Sequence, residues 1–214
     1  MRRFLTLLLL LSTSGLNADE WWAWSHLEFW KVEPWSAGVF LGNRLDVDDG
    51  AYVQIVSPRL KYQVLPWLES GLGLSVLSIE NATTHLRHTQ FRPELELNPK
   101  FDLSPTVRLE MRNRMEWREN EGEALTRHRS RHRLQLAAKL PNAVGPITRL
   151  FISNEWLVDL HRQRWTENRL VPLGVTFNLT SQSDLDLFYM LLSQDTPKGW
   201  RSESVLGTYL RLRF

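Results

Sequence analysis

The residues whose types and spacing suit chemistry gather between Thr106 and Arg133, with one more in Asn154. His128, Ser130 and His132 recur at every second position. An imidazole two residues from a serine hydroxyl offers a general base and a nucleophile, the two groups an acyl-transfer site needs. Asn154 has the same parity on the following predicted strand, where an amide could orient the imidazole. The bland reading is also open: the same face continues as Leu134 and Leu136, which makes His128 and Ser130 interface side chains near a strand end.

The other constellation is electrostatic. On the opposite parity lie nine arginines, Arg92, Arg108, Arg112, Arg114, Arg118, Arg127, Arg129, Arg131 and Arg133, with six acids, Glu94, Glu96, Glu110, Glu116, Glu155 and Asp159. Opposite charges on neighbouring strands are favourable pairs. A simple hairpin register sets Arg92 against Glu110, Glu94 against Arg108, Arg131 against Glu155 and Arg127 against Asp159. Two readings follow: internal ion pairs that fix register, or a polar interior whose positive surplus binds or passes an anion. His85, His88 and His161 fall near predicted loops, but their spacing matches no metal motif. No phosphate-cradling glycine loop or nucleotide fingerprint is present, so neither metal nor cofactor is expected.

These residues need strands to position them. Val107, Leu109, Met111, Met115 and Trp117 alternate with Arg108, Glu110, Arg112, Arg114, Glu116 and Arg118. A two-residue period is that of a pleated strand and not of a helix. The same alternation recurs from Trp22 to Phe214 in roughly eleven segments: 22–32, 35–47, 51–64, 67–79, 85–98, 107–118, 127–140, 147–160, 167–179, 184–193 and 205–214. Asp48-Asp49-Gly50 is a hairpin signal. Pro99–Pro105, Pro141–Pro146 and Ser181–Ser183 read as turns, and Asp195–Glu203 reads as a loop. Short turns alternate with longer polar connections.

The apolar parity points outward on three grounds. The charged face closes on itself through cross-strand pairs. Trp35 and Trp67 flank tight turns while Trp117, Trp165 and Trp200 lie near the longer loops, as two interfacial girdles would. The chain ends on Phe214, with Leu206, Leu210 and Leu212 on the same face, in the manner of a terminal strand used for membrane insertion. Backbone polar groups in hydrocarbon must all be paired, so such a sheet has to close. An even strand count, 10 or 12 with 12 preferred, is the prediction, because single-chain bacterial barrels are normally even.

Composition limits the alternatives. Met1-Arg2-Arg3, the apolar run Phe4–Leu11 and the small residues up to Ala18 form a secretory signal peptide, leaving residues 19–214 as one domain. That run is shorter than the ~20 residues a spanning helix requires. The 214 residues include no cysteine, which excludes a disulfide scaffold and a thiol-linked lipid anchor. A formal charge of +2, two arginines of which belong to the leader, leaves no basic face for nucleic acid.

The segments FRPELEL (91–97), VRLEMRNRMEWR (107–118), NEWLVDL (154–160), ENRLVPLGVTFNL (167–179), DLDLFYML (184–191) and VLGTYLRLRF (205–214) resemble the bacterial family known as domain of unknown function 2490. The resemblance implies an outer-membrane barrel and brings no activity and no catalytic residues. The His-x-Ser pair separately resembles outer-membrane phospholipase A, although Arg131 departs from the pattern after that serine. The sequence thus predicts an all-β, antiparallel up-and-down transmembrane barrel in the outer membrane of a Gram-negative bacterium. Its expected partners are outer-membrane lipids and, through the C-terminal strand, the barrel assembly machinery. Its expected role is structural, or the binding of a small solute or lipid, with a charged, side-chain-filled lumen. The alternatives are a lipid hydrolase using His128 and Ser130, and a soluble secreted β protein.

Overall fold

A computed structural model of the protein describes residues 18–81, 83–140 and 145–214. The predicted leader lies outside these residues, apart from Ala18. Eleven strands follow one another: β1 Glu20–Val32, β2 Trp35–Asp46, β3 Gly50–Leu65, β4 Leu68–Glu80, β5 Arg87–Asp102, β6 Val107–Asn120, β7 Arg127–Lys139, β8 Ile147–Asp159, β9 Arg164–Thr180, β10 Ser183–Thr196 and β11 Gly199–Arg213. Each pairs with its neighbours in sequence, and β1 pairs with β11 to close a barrel. The strands are 12 to 17 residues long, more than the ~9–11 that a tilted membrane-spanning strand requires.

The preference for twelve strands is corrected to eleven. A meander reverses direction at every turn, so an odd count makes the first and last strands run the same way. β1 and β11 accordingly pair in parallel, from Glu20 opposite Val205 to Glu28 opposite Arg213. This seam is pinned at both ends. The Asp19 amide donates to the Ser204 carbonyl at 2.9 Å and the Ser204 amide donates to Asp19 Oδ2 at 2.7 Å. At the far end the Phe214 amide donates to the Glu28 carbonyl at 3.0 Å.

One rim of the barrel, the turn end, carries the C-terminus and the connections after β1, β3, β5, β7 and β9. The other, the loop end, carries the start of β1 and the connections after β2, β4, β6, β8 and β10. The predicted loop 195–203 is corrected to a tight turn, because β10 runs to Thr196 and β11 starts at Gly199. The longer loop-end connections are residues 81–86 and 121–126.

The outer surface is apolar. Leu72, Leu173 and Ile152 are 59%, 54% and 50% exposed, whereas Glu116, on the inner face, is 0% exposed. Such an arrangement inverts the usual partition of a water-soluble protein. Trp35 packs on Tyr62 and Trp67 stacks on Phe101 at the turn end, with ring centroids 4.6 and 5.7 Å apart. Trp117, Trp165 and Trp200 are exposed toward the loop end. Leu206, Leu210 and Leu212 alternate outward along β11, and Phe214 lies exposed just past its end.

Candidate functional site

The charged parity of β5 to β8 points into the lumen and forms a lattice of ion pairs. Glu116 has no exposed surface; Arg129 Nη2 lies 2.7 Å from its Oε2 and Arg131 Nη1 lies 2.9 Å from its Oε1. Arg92 and Arg114 approach the same carboxylate at 3.7 and 3.8 Å. Arg114 bridges Glu94, at 3.0 Å, and Glu96. Glu155 receives Arg112 at 2.7 Å and Arg131 at 2.9 Å.

Two parts of the predicted register are corrected. Asp102 pairs with Arg108, and Glu94 stands opposite Glu116, so neither Arg92–Glu110 nor Glu94–Arg108 forms. β5 continues through Pro99 to Asp102, which moves the turn to residues 103–106. Proline has no N–H to donate, and the β5–β6 pairing indeed has gaps around Pro93 and Pro99 while β4–β5 pairing is continuous. Between β7 and β8 the register slips by two residues. Arg133 stands opposite Glu155 and Arg129 opposite Asp159, and Arg131 reaches Glu155 only diagonally. Arg127 lies at the loop end, 2.9 Å from Glu123, and Asp159 caps the next turn by accepting from the His161 and Arg162 amides. Neither belongs to the lattice. Glu110 lies 3.7 Å from Arg149 and accepts from Gln135 at 3.2 Å.

Several lattice members were not singled out by sequence. Arg59 binds Glu94 and Glu96, each at 2.8 Å. Lys61 and Lys100 grip Glu69 at 2.9 and 3.0 Å. Arg169 pairs with Glu167 at 2.5 Å, and Arg211 with Asp186 at 2.6 Å. The signal in β3 was Ser57, Arg59, Lys61 and Gln63 at every second position, obscured by Pro58.

Beside these ion pairs, β1 and β8 to β11 also carry an apolar cluster inside the lumen. Trp22, Phe151, Val171, Phe188, Met190, Leu192 and Val205 form a buried cluster, with Trp24 and Tyr209 packed against it. The apolar run Leu187–Leu192 was the available clue, since a strand apolar on both faces is buried on both. Trp24 lies 5.7 Å from Phe188, 6.2 Å from Phe40 and 6.3 Å from Tyr209, centroid to centroid.

These side chains divide the lumen along its axis. Toward the loop end Trp22, Val53, Leu77, Gln90, Glu116, Leu157, Leu192 and Val205 are each at most 6% exposed. The Trp22 indole lies between two guanidinium groups, with Arg44 Cζ at 4.0 Å and Arg169 Cζ at 4.8 Å from its ring centre. Both are within cation–π range. Toward the turn end lies a cavity of about 390 Å³. Thirteen arginines and lysines but six acids line it, Arg112, Arg133, Arg149 and Arg211 among the cations, together with Trp24, Phe40, Phe188 and Tyr209. Its turn-end members Lys61, Lys100, Arg108 and Arg211 retain exposed surface. Among the described residues, the exposed lining of the cavity therefore lies at the turn end.

The His–Ser constellation is not assembled. His128 and Ser130 share the outward face but no hydrogen bond joins their side chains. Asn154 stands opposite Leu134, six strand positions from His128, or about 20 Å along the ribbon. Asn154 Oδ1 instead accepts from Asn168 Nδ2 at 2.8 Å, and His132 Nδ1 lies 2.9 Å from Asn113 Oδ1. His85 contacts Glu80 at 3.2 Å. Among the described residues no group of three or more His, Cys, Asp or Glu is placed to hold a metal.

Comparison with known proteins gives a family and a fold. A family model described as "Protein of unknown function (DUF2490)" matches residues 22–203. None of the curated proteins matches the sequence. Among solved structures, an anion-selective porin from Comamonas acidovorans is similar at 14% identity and a TM-score of 0.42, over 84% of this chain. The chain spans about half that porin's length, 52%.

Proposed function

The chain belongs to the DUF2490 family, and from that premise we propose that it is an outer-membrane barrel that holds a small solute in a blind lumenal pocket without conducting. The observation that supports this reading is the axial division of the lumen. A layer of fully buried side chains stands above a cavity whose mouth is at the turn end. Barrels of this type have short periplasmic turns, which places the mouth toward the periplasm. The apolar outer belt between two tryptophan girdles supplies the membrane contact, and its lipids are the protein's first partners. The β11 face of Leu206, Leu210, Leu212 and Phe214 is the segment offered to the assembly machinery.

Membrane fractionation combined with gel mobility before and after heating tests the barrel reading. The protein should stay with the membrane through high salt and migrate faster unheated than heated. Release of all the protein by mild salt would support the soluble secreted alternative instead.

A further inference from the structure

The pocket's two walls differ in chemistry, and their difference specifies a ligand. On the charged wall, β6 and β7 set like charges directly opposite one another: Arg112 faces Arg133 and Arg114 faces Arg131. Like charges in that position are unfavourable. Arg114 and Arg131 are compensated in charge by Glu94, Glu96, Glu116 and Glu155, although Arg131 Nε is also buried without a partner. The pair nearer the turn end, Arg112 and Arg133, is not balanced in this way. Arg112 gives Nη2 to Glu155 at 2.7 Å, but its Nε is buried without a partner. Arg133 has no carboxylate within 4.0 Å and no side-chain hydrogen bond among the described residues, and its Nε is likewise buried without a partner. Both residues line the cavity.

A buried donor without an acceptor is costly, and a planar guanidinium is suited to a two-oxygen anion. The opposing wall presents the rings of Trp24, Phe40, Phe188 and Tyr209, with Arg59 over the Phe40 ring and Arg211 over the Tyr209 ring. A cavity of about 390 Å³ falls within the range of small-molecule sites, which are mostly apolar with a few placed polar groups.

We propose that the pocket binds an amphipathic carboxylate, its two oxygens between Arg112 and Arg133 and its apolar or aromatic body against the Trp24–Tyr209 wall. This rests on the reading of the lumen as a binding pocket and names its ligand class. Phosphate alone would satisfy the arginines but leave the aromatic wall unused. An uncharged aromatic alcohol would fill the aromatic wall but leave the arginines unpaired.

Calorimetric titration of the purified full-length barrel in detergent, against a detergent blank, tests the assignment with three probes: 2-naphthoate, 2-naphthalenemethanol and inorganic phosphate. 2-Naphthoate should bind saturably, one per chain, and more tightly than either other probe. Arg133→Gln should weaken it by roughly tenfold or more, the loss of a charged hydrogen-bond partner. Arg133→Lys, which keeps the charge but not the fork, should lie between. Arg133 holds no ion pair, so both variants should retain heat-modifiable mobility. Absent 2-naphthoate binding, equal binding of the alcohol or of phosphate, or affinity unchanged by both substitutions would each overturn the ligand assignment. The gel shift reports separately whether the barrel itself is intact.

Discussion

Glu116 and Arg133 show two opposite electrostatic situations four strand positions apart across the β6–β7 pairing. Glu116 is surrounded by four arginines, two of them within 2.9 Å, and has no contact with solvent. Taking a carboxylate and guanidinium groups out of water is expensive, so the pairs need not add net stability relative to an apolar core. Removing one member is a different matter, because the remaining charges stay buried and unpaired. Glu116→Gln should therefore lower the unfolding free energy by about 3–5 kcal/mol, read as a lower urea midpoint for the heat-modifiable form. An unchanged midpoint would mean that water already compensates these arginines. Arg133 stands opposite Glu155 but makes no ion pair within 4.0 Å among the described residues, and this asymmetry separates the group that organises the lumen from the group we assign to a ligand.

At the scale of strands, packing inside the lumen is set by ring-over-glycine pairs. Phe188 stands opposite Gly207 on β11 and Gly174 on β9, and Phe151 stands opposite Gly174 from β8. A Cβ at Gly207 would lie 2.0 Å from the Phe188 ring, and one at Gly174 would lie 2.1 Å from the Phe151 ring. Both rings belong to the buried cluster inside the lumen. Gly207→Ala should cost about 1–3 kcal/mol as an overpacking change, with partial recovery in the double variant with Phe188→Leu. Additive losses, measured by the same urea unfolding, would show that the two positions do not share this space. Strand parity was legible in the sequence because residues such as Leu109 and Arg108 differ sharply in polarity. Register was not, because Pro99 reads as the start of a turn, whereas Pro93 and Pro99 only interrupt one of β5's two ladders. The apolar cluster inside the lumen was hidden for another reason. In β10 the inward residues Phe188, Met190 and Leu192 are as apolar as the outward ones, so parity gives no contrast there. Arg112 and Arg133 were both visible as inward arginines. That they face one another depends on the β6–β7 register, which only the fold supplies.

At the scale of the whole molecule, the odd strand count and the divided lumen belong to one closed object. The parallel β1–β11 seam joins Trp22 and Trp24 on one strand to Val205 and Tyr209 on the other, and so brings the apolar wall together. The charged wall of β5 to β7 lies across the lumen from this seam in the strand order. The proposed plug and pocket rest on which side chains point inward at each height: fully buried ones toward the loop end, and Arg112 and Arg133 with aromatic rings nearer the turn end. The sequence contains no cysteine, so a single introduced thiol reports its own surroundings. The most direct test of a membrane barrel with a blind pocket is the labelling of Lys198→Cys and Lys61→Cys by a membrane-impermeant maleimide on intact cells. Lys198 lies in the loop-end turn between β10 and β11, and Lys61 lies in the pocket near the turn end. Lys198→Cys should label on intact cells, and Lys61→Cys only after the outer membrane is permeabilised. Labelling of Lys61→Cys on intact cells would contradict the account, because the pocket would then open to the outside or through the barrel.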